Sequence, residues 1–373
     1  MTATDDIAAL IRDSAAAYVA AEDTVARARR LKTGEGACDE ATFAGWSRLG
    51  WTAMLAPAAM GGGLGLAEAA ALHEELGKGL AGSPLIHSAH LPILAARRCS
   101  GPAAPRVMAA IAEGVPCALA FQPAGGALDA QSGTVRVEEA GSNRRLHGEA
   151  HYVPAVGEGH LLVAARGESG VGLYRVDASA PGLRRAVART ADGQQIFSLM
   201  FDSVTIEAAD LVGLPGEGGR AADVALEQAR ILQAAFLLGL MRATLERTLD
   251  YLKTRKQFGR PIGAFQVLQH RAVDLFVQIE LTAAAVAHAV ERAGESEDPL
   301  VLADAASSAK VRASEAALLV TREAVQMHGA IAYTQEHDIG LFLNQALTQA
   351  AALGNAAAHR RRYGLLIARQ IAA

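Results

Sequence analysis

The residues best suited to chemistry lie in one short stretch, YLKTRKQFGRPIGAFQ, at positions 251–266. Its Arg255 carries a guanidinium, which suits bidentate contact with phosphate or pyrophosphate oxygens. The Gly-Arg-Pro-Ile-Gly segment that follows allows close backbone approach to a ligand, while proline fixes the path of the chain. The same pattern is typical of a charged helix end followed by a tight turn. By itself, the stretch leaves phosphate binding and a structural turn both open.

Other segments that could bind a ligand lack the spacing that binding requires. Neither GGGLGLA nor GLPGEGGR contains Gly-x-Gly-x-x-Gly, and Gly77-Lys78 lacks the earlier glycine of a P-loop, so we interpret them as loops or linkers. His87 and His90 could ligate a metal at helical spacing, but no further cluster completes a ligand shell. The run HRRR at 359–362 could attract an anion, although arginines in a last helix more often form a solvated face.

Composition narrows the class of protein. The chain has 373 residues, of which 51% are hydrophobic, and a formal net charge of −4. Nearly balanced charges argue against nucleic-acid binding and against electrostatic attachment to a membrane. The apolar run 231–241 is too short to span a bilayer and predicts a buried helix. Three scattered cysteines and an acidic N-terminus without a signal-peptide pattern indicate a cytoplasmic protein.

The elements that must position Arg255 follow an α, β, α order. Apolar residues at three- and four-residue spacing predict a helical domain over 1–114. Short alternating runs such as CALAFQ, TVRVEE, HLLVAARG, GVGLYRVD and FSLMFDSVTI predict a small antiparallel β domain over 115–212. After the glycine-rich linker GLPGEGGR, a helical domain is predicted over 213–373, with breaks near GESEDP and HGAIAYT.

Two motifs give this arrangement a family context. Arg255, Phe258-Gly259 and Phe265-Gln266 fit an Arg-x-x-Phe-Gly-x-x-x-x-x-Phe-Gln pattern, which resembles the signature joining two C-terminal helices in the acyl-CoA dehydrogenase family. The segment 309–339, AKVRASEAALLVTREAVQMHGAIAYTQEHDI, is similar to that family's Gln-x-x-Gly-Gly segment and the turn after it. The order of the domains also matches, so the resemblance covers nearly the whole chain.

The resemblance implies an α+β fold with an N-terminal helical domain, a middle antiparallel β-barrel-like domain and a C-terminal four-helix bundle. Such chains usually form tetramers that hold FAD between domains and across a subunit boundary. Carried over to this sequence, Arg255 and Phe258 are expected to meet the FAD of a neighbouring subunit, with Arg255 at the pyrophosphate. Gln326 and Gly329 are expected at its adenosine and pyrophosphate end.

The catalytic base of the family is absent from its usual positions. The expected reaction is α,β-dehydrogenation of an acyl-CoA thioester, in which a carboxylate removes the α-proton. The family's Glu-Gly-Thr falls on Leu353-Gly354-Asn355, so leucine replaces the base and Asn355 could supply the polar flavin contact. The alternative base position falls on Ala229. Glu227 lies two residues away, about 200° around the helix, and is interpreted as a surface acid facing Arg230.

The β domain also departs from the family pattern. The family's Thr-Glu-Pro becomes Phe121-Gln122-Pro123, followed by AGGALD, which lacks the serine expected near the pyrophosphate. By the resemblance, Phe121 is expected to contact the FAD. The tryptophan-containing element beside the flavin ring becomes Tyr152-Val153-Pro154. Tyr152 can still stack or hydrogen-bond, whereas Pro154 keeps neither a hydroxyl nor a backbone donor.

These features leave several functions open. The first is an FAD-dependent acyl-CoA dehydrogenase with an electron-transfer flavoprotein as acceptor, whose base comes from elsewhere, with Glu227 or Asp223 as candidates. The second is a catalytically silent subunit that completes the flavin site of a related chain in a hetero-oligomer. A flavin oxidase or monooxygenase on the same fold is a third, although no residue argues for it. The assembly is expected to be a homotetramer or a hetero-oligomer.

Overall fold

The computed structural model describes residues 3–34, 40–81, 83–140 and 143–372, and Cys38 lies outside these ranges. Helices come first, strands follow, and helices complete the chain, as the sequence predicts. The first helices are rich in Ala and Leu, and Asp23 caps the second by accepting a hydrogen bond from the amide of Ala26 at 3.2 Å. These helices are α1 (Ala3–Ala21), α2 (Thr24–Lys32), α3 (Glu40–Arg48), α4 (Leu66–Lys78), α5 (Ser83–Leu85), α6 (Leu91–Ala96) and α7 (Ala104–Ala112).

The middle of the chain forms one eight-stranded sheet. Its order is β6-β7-β3-β2-β4-β5-β8, with β1 paired to β4. Pairing is parallel for β1 with β4 and for β2 with β4, so the sheet is mixed and not wholly antiparallel as predicted. Its strands are β1 (Cys117–Ala120), β2 (Arg136–Ala140), β3 (Asn143–Pro154), β4 (His160–Gly167), β5 (Gly170–Asp177), β6 (Leu183–Arg189), β7 (Gln195–Ile206) and β8 (Leu211–Gly213).

Long helices dominate the C-terminal part. The first of them carries the predicted buried run 231–241, all of which is buried. Lys256–Gln257 (β9) and Arg260–Pro261 (β10) form a short hairpin between the first two helices. The helices are α8 (Glu217–Thr254), α9 (Gln266–Glu295), α10 (Pro299–His328), α11 (Ile339–Ala351) and α12 (Ala356–Ala372). The breaks after Glu295 and His328 fall where the sequence predicts them.

The chain divides into two compact units that do not follow chain order. The bundle unit comprises Met1–Thr33, Ala67–Ser83 and Arg230–Ala373, and the sheet unit comprises Gly34–Leu66 and Pro84–Ala229. Each unit is therefore built from separated segments. The three-domain boundaries proposed from the sequence stay a prediction. The glycine-rich linker is shorter than predicted, because α8 already begins at Glu217.

Two glycines allow α4 and α8 to cross closely within the bundle unit. A Cβ placed on Gly239 would lie 1.7 Å from the carbonyl oxygen of Glu74. A Cβ placed on Gly77 would lie 2.2 Å from the carbonyl oxygen of Phe236. Because both obstacles are backbone atoms, no side-chain movement could relieve them. Gly77 is thus a packing residue, and its neighbour Lys78 forms an ion pair with Glu75 at 2.6 Å.

In the sheet unit, β4 and β5 are buried on both faces, and side chains from one face form a single apolar cluster. Leu146, Leu161, Val163, Phe201 and Val204 belong to a single buried apolar cluster. Burial of side chains of this size stabilises the unit by about 1.5–3 kcal/mol each. The cluster fixes the strands from which Tyr152 projects.

Candidate functional site

The stretch after α8 is a tight hairpin turn. Gln257 pairs with Arg260, leaving Phe258 and Gly259 as the two turn residues. Their φ angles are 53° and 79°, and two positive φ angles are typical of a type I′ turn. Glycine adopts this backbone readily, whereas phenylalanine is strained in it. The Phe258 residue is 90% exposed to solvent.

The backbone of Arg255 is fixed by hydrogen bonds, whereas its side chain is exposed to solvent. Its amide donates to the carbonyl of Tyr251 at 2.9 Å, and its carbonyl accepts from the amide of Ile262 at 2.8 Å. The guanidinium is exposed, and it forms no hydrogen bond or ion pair with any residue that the structure describes. By contrast, the guanidinium of Arg260 lies 4.2 Å from the centre of the Phe265 ring. The side chain of Arg255 is therefore available to an anionic ligand, as is that of the adjacent exposed Lys256.

The second predicted motif lies at the C-terminal end of α10. Gly329 ends the helix with φ 70° and ψ −146°, a combination essentially restricted to glycine. Gln326 and Gly329 are both exposed. Within the described ranges, the side chain of Gln326 has no hydrogen-bond partner. These residues can therefore approach a ligand through a backbone amide and a side-chain amide.

An aromatic stack brings the two motifs together. The ring of Tyr251, one turn before Arg255, stacks on the ring of His328, with centres 4.4 Å apart and planes 23° apart. The hydroxyl of Tyr251 donates to the carbonyl of His328 at 3.2 Å. His337 packs its ring edge on His328 at 4.6 Å. The stack was not predicted from the sequence, although an aromatic residue one turn before the arginine was a usable signal.

Burial affects both histidines of the stack. It lowers the pKa of His328, and the hydrogen bond from the ring to the carbonyl of Ala324 opposes that change in part. Burial also lowers the pKa of His337, while the carboxylate of Asp338 raises it. Asp338 in turn pairs with Arg29 and with Arg247, the latter at 3.3 Å. The lowered pKa of each ring favours its neutral form, which suits stacking against tyrosine.

Leu353, the position at which the sequence motif predicts the family's base, is strained and firmly held. Leu353 has φ 56° and is 8% exposed. Its carbonyl accepts a hydrogen bond from Nε of Arg230 at 3.1 Å and lies 3.0 Å from Nε2 of His359. Asn355 caps α12, because its Oδ1 accepts from the amide of Ala358 at 2.9 Å. Its proposed flavin contact is untested, and the cap gives this residue a structural role as well.

A buried lysine holds the turn that precedes Leu353. Nζ of Lys310 donates to the carbonyls of Gln349 at 3.2 Å and Ala350 at 2.9 Å, and to Oγ of Ser314 at 3.1 Å. The side chain is fully buried, and burial lowers the pKa of Lys310 to about 7, with a smaller contribution from the charge of Arg230. Nothing in the sequence pattern had singled out Lys310, Arg230 or His359 as a group.

The sheet unit holds two further predicted contacts. Phe121 is buried directly after β1 and serves the core. Tyr152 has φ 58° where the β3–β7 pairing shifts between Ala150 and Val153, and its side chain is 52% exposed. Its hydroxyl donates to the carbonyl of Ala124 at 2.9 Å. The bulge thus turns the tyrosine ring outward, where it can stack with a planar ligand.

The acids proposed as substitute bases lie on the first part of α8. Glu227 is 4% exposed, so its interpretation as a surface acid is wrong. The apolar surroundings of α8 on several sides, which helical periodicity alone did not reveal, account for its burial. Asp223 accepts a hydrogen bond from the amide of Ala130 at 2.6 Å, and this contact gives it a structural role. Ala229 is fully buried.

The other segments that the sequence offered as possible ligand sites, the His87/His90 pair and the HRRR run at 359–362, contain residues with structural contacts. Nε2 of His90 lies 2.8 Å from the carbonyl of Trp51, and burial lowers the pKa of His90 to about 4. Among the residues that the structure describes, no three His, Cys, Asp or Glu side chains are placed to hold a metal ion. In the HRRR run, Arg360 pairs with Glu315 at the surface, as expected for a solvated face, whereas His359 is fully buried.

Solved structures define the fold class. A variant of the Tcur3481-Tcur3483 steroid ACAD superposes with a TM-score of 0.88 at 29% identity, covering 99% of this chain and 100% of that one. The ChsE4-ChsE5 complex from Mycobacterium tuberculosis gives a TM-score of 0.84 at 26% identity, covering 99% and 98%. The chain therefore has the acyl-CoA dehydrogenase fold, as predicted.

Sequence comparison gives the family. The model of the acyl-CoA dehydrogenase N-terminal domain matches residues 5–99, and that of the C-terminal domain matches residues 216–370. Together they match more than half of the chain, which belongs to the acyl-CoA dehydrogenase family. Acyl-CoA dehydrogenase IpdE2 of Mycolicibacterium smegmatis is 44% identical over 130 residues. That match covers 34% of this chain and only 39% of IpdE2.

Proposed function

We propose that the chain is a subunit of an FAD-dependent acyl-CoA dehydrogenase-type oxidoreductase that acts on an acyl-CoA thioester. The observation that carries this proposal is the stack of Tyr251 on His328. It places the Arg255 turn next to the Gly329 turn in one unit, with the predicted ligand-binding groups directed to solvent. Family membership supports the same class of reaction.

The exposed groups fit the phosphate and adenosine end of FAD. The open guanidinium of Arg255 would bind the pyrophosphate of an FAD held by a neighbouring subunit, and Gly329 would let the backbone approach it. Phe258 and Gln326 would contact the adenosine side. In the sheet unit, Tyr152 would lie beside the flavin ring. When bound, FAD would supply a hydride acceptor for the β-hydrogen of the substrate.

The predicted FAD contacts Arg255, Phe258, Gln326 and Gly329 are exposed, and this exposure supports assembly with a second chain. α9 buries one apolar face, yet a second row of its apolar side chains is open to solvent in the described structure. An apolar helix face of this length normally packs against a partner. We propose a homotetramer or a hetero-oligomer in which the partner covers this row. The row consists of Val273, Phe276, Val277 and Leu281.

A catalytically silent role is the second candidate, and a specific observation favours it. Leu353 and Ala229 occupy the two positions where the family places its base, and neither can accept a proton. The chain would then complete the flavin site of a related subunit that carries the glutamate. Similarity to the two-protein ChsE4-ChsE5 complex is compatible with such an arrangement. Under either candidate we propose a cytoplasmic location and electron-transfer flavoprotein as acceptor.

One titration separates the two candidates. The purified protein, expressed alone, is titrated anaerobically with a panel of acyl-CoA thioesters while the oxidised flavin absorbance is recorded. An active dehydrogenase should lose that absorbance with at least one thioester. A flavin band that no thioester reduces, with reduction appearing after co-expression with a glutamate-containing relative, would establish the silent role. Absence of flavin from both preparations would refute the proposed function.

Arg255→Ala tests the cofactor site directly. We expect the variant to lose most of its FAD during purification, because a charge-assisted hydrogen bond contributes about 1.5–3 kcal/mol. Arg292→Ala is the control, since Arg292 is a partly exposed arginine paired with Glu295 at the end of α9. An Arg255→Ala protein that retains FAD as well as the control would exclude the pyrophosphate role.

A further inference from the structure

The turn between α11 and α12 holds a leucine in an unfavourable backbone conformation. Leu353 adopts φ 56° and Gly354 φ 106°. The left-handed region suits glycine, whereas a leucine persists there only when its surroundings hold it. The amide of Ala352 donates to the carbonyl of Thr348 at 3.0 Å, and that of Gly354 to the carbonyl of Ala351 at 3.2 Å. These contacts fix the residues on either side of Leu353.

Two buried side chains converge on the carbonyl of Leu353 itself. Nε of Arg230 on α8 donates to it at 3.1 Å, and Nε2 of His359 on α12 lies 3.0 Å away. A carbonyl only accepts hydrogen bonds, so Nε2 of His359 carries the proton. Nδ1 of the same ring lies 3.2 Å from Oγ of Ser307 on α10. Three helices therefore orient one peptide group.

We propose that His359, oriented by Ser307, is a positioning residue that acts with Arg230 to fix the side chain of residue 353 in the acyl site. The inference rests on the proposed function, because it takes position 353 to face the acyl group. With leucine there, the fixed side chain is an apolar wall against the substrate and not a proton acceptor. The carbonyl contacts do not depend on the side chain, so they would hold a glutamate at position 353 equally well.

The first test measures the turn itself and needs no activity. Amide hydrogen exchange is recorded for residues 349–356 in the wild type and in His359→Ala. Loss of the buried hydrogen bond should accelerate exchange there about ten-fold. His359→Gln, which keeps a donor near Nε2, should restore most of the protection. Arg361→Ala, an exposed change on the same helix, is the control.

Ser307→Ala gives an independent variant with a smaller perturbation. It removes the hydroxyl from Nδ1 and leaves the imidazole in place, so it should accelerate exchange about three-fold over the same segment. If exchange of residues 349–356 is unchanged in both His359→Ala and Ser307→Ala, the positioning role is refuted. Equal acceleration across the whole chain would also refute it, since that result indicates general destabilisation.

A second readout separates positioning from structure and from the proposed function. In a Leu353→Glu background, flavin reduction by an acyl-CoA should appear, and adding His359→Ala should lower its rate constant about ten-fold. The thioester concentration at half-saturation should change less than about two-fold, and so should the FAD content. His359→Gln should restore the rate constant. If an FAD-containing Leu353→Glu protein is not reduced although the exchange results hold, residue 353 does not face the acyl group and the positioning proposal is overturned, whereas the titration of the wild type decides the proposed function.

Discussion

Replacement of Lys310 by methionine should change how stability depends on pH. The lysine is fully buried and donates to the carbonyls of Gln349 and Ala350 and to the hydroxyl of Ser314. Burial lowers its pKa from 10.5 to about 7. Between these two pH values, the unfolded chain binds a proton that the folded chain does not hold. The wild type should therefore gain stability as pH rises from 7 toward 10.5.

The magnitude follows from the difference between the two pKa values. Each pKa unit corresponds to about 1.4 kcal/mol, so between pH 7 and about pH 9.5 the wild type should gain about 3 kcal/mol through this group. Lys310→Met lacks the titrating group and should lose this gain. At pH 7 two effects oppose each other. The variant avoids burying a charge but leaves two carbonyls without their donor, at about 1–3 kcal/mol each.

Urea unfolding at pH 7, 8, 9 and 9.5 measures the effect as a difference between proteins. The free energy of unfolding of the wild type minus that of Lys310→Met should increase with pH. Lys253→Met is the control, because Lys253 is an exposed lysine of the same unit paired with Asp250 at 3.3 Å, and its profile should parallel the wild type. Parallel profiles for Lys310→Met and the wild type would refute a lowered lysine pKa.

Three further outcomes are expected. Gly239→Ala should destabilise the bundle unit by about 3 kcal/mol or more in a denaturation assay, because its Cβ would lie 1.7 Å from a backbone oxygen of α4. Gly294→Ala is the control: the space around Gly294 is open, so this variant should be neutral or stabilising in the same assay. Phe258→Gly should stabilise the fold by about 1 kcal/mol and lower FAD retention; full retention would show that the ring is dispensable. Acid should destabilise the wild type between pH 6.5 and about 4, because His90 is protonated there in the unfolded chain but not when it is buried in the folded chain. The free energy of unfolding should fall by about 3 kcal/mol over this range, and the fall should be smaller in His90→Asn.

The elements of the fold were predictable where local pattern decides them. The α, β, α order follows from hydrophobic periodicity, and the breaks at residues 296–298 and 329–333 follow from polar and glycine-rich sequence. The Arg255 turn could be found because the glycines and the proline after Arg255 leave a local signature in the sequence. The pairing of segments that are distant in the chain leaves no such signature in the sequence. The parallel pairing of β1 with β4 joins segments about 40 residues apart. Their hydrophobic pattern would be the same for parallel and for antiparallel pairing.

The surroundings of the candidate site were less predictable for the same reason. Glu227 and Lys310 look like surface residues by type, since charged side chains are rarely buried without partners. Their burial depends on which helices pack around them, and that is not encoded within a single helical period. The stack of Tyr251 on His328 joins residues 77 positions apart. The motif residues were identified from sequence, but the groups that orient them required coordinates.

The division into two units gives the protein a built-in pair of optical reporters. The chain has two tryptophans, Trp46 and Trp51, and both lie buried in the sheet unit. Their fluorescence therefore follows the unfolding of that unit alone, while far-UV circular dichroism is weighted toward the long helices of the bundle unit. Recorded on one sample, the two signals would show whether Lys310→Met or Gly239→Ala weakens only the unit that contains the substitution.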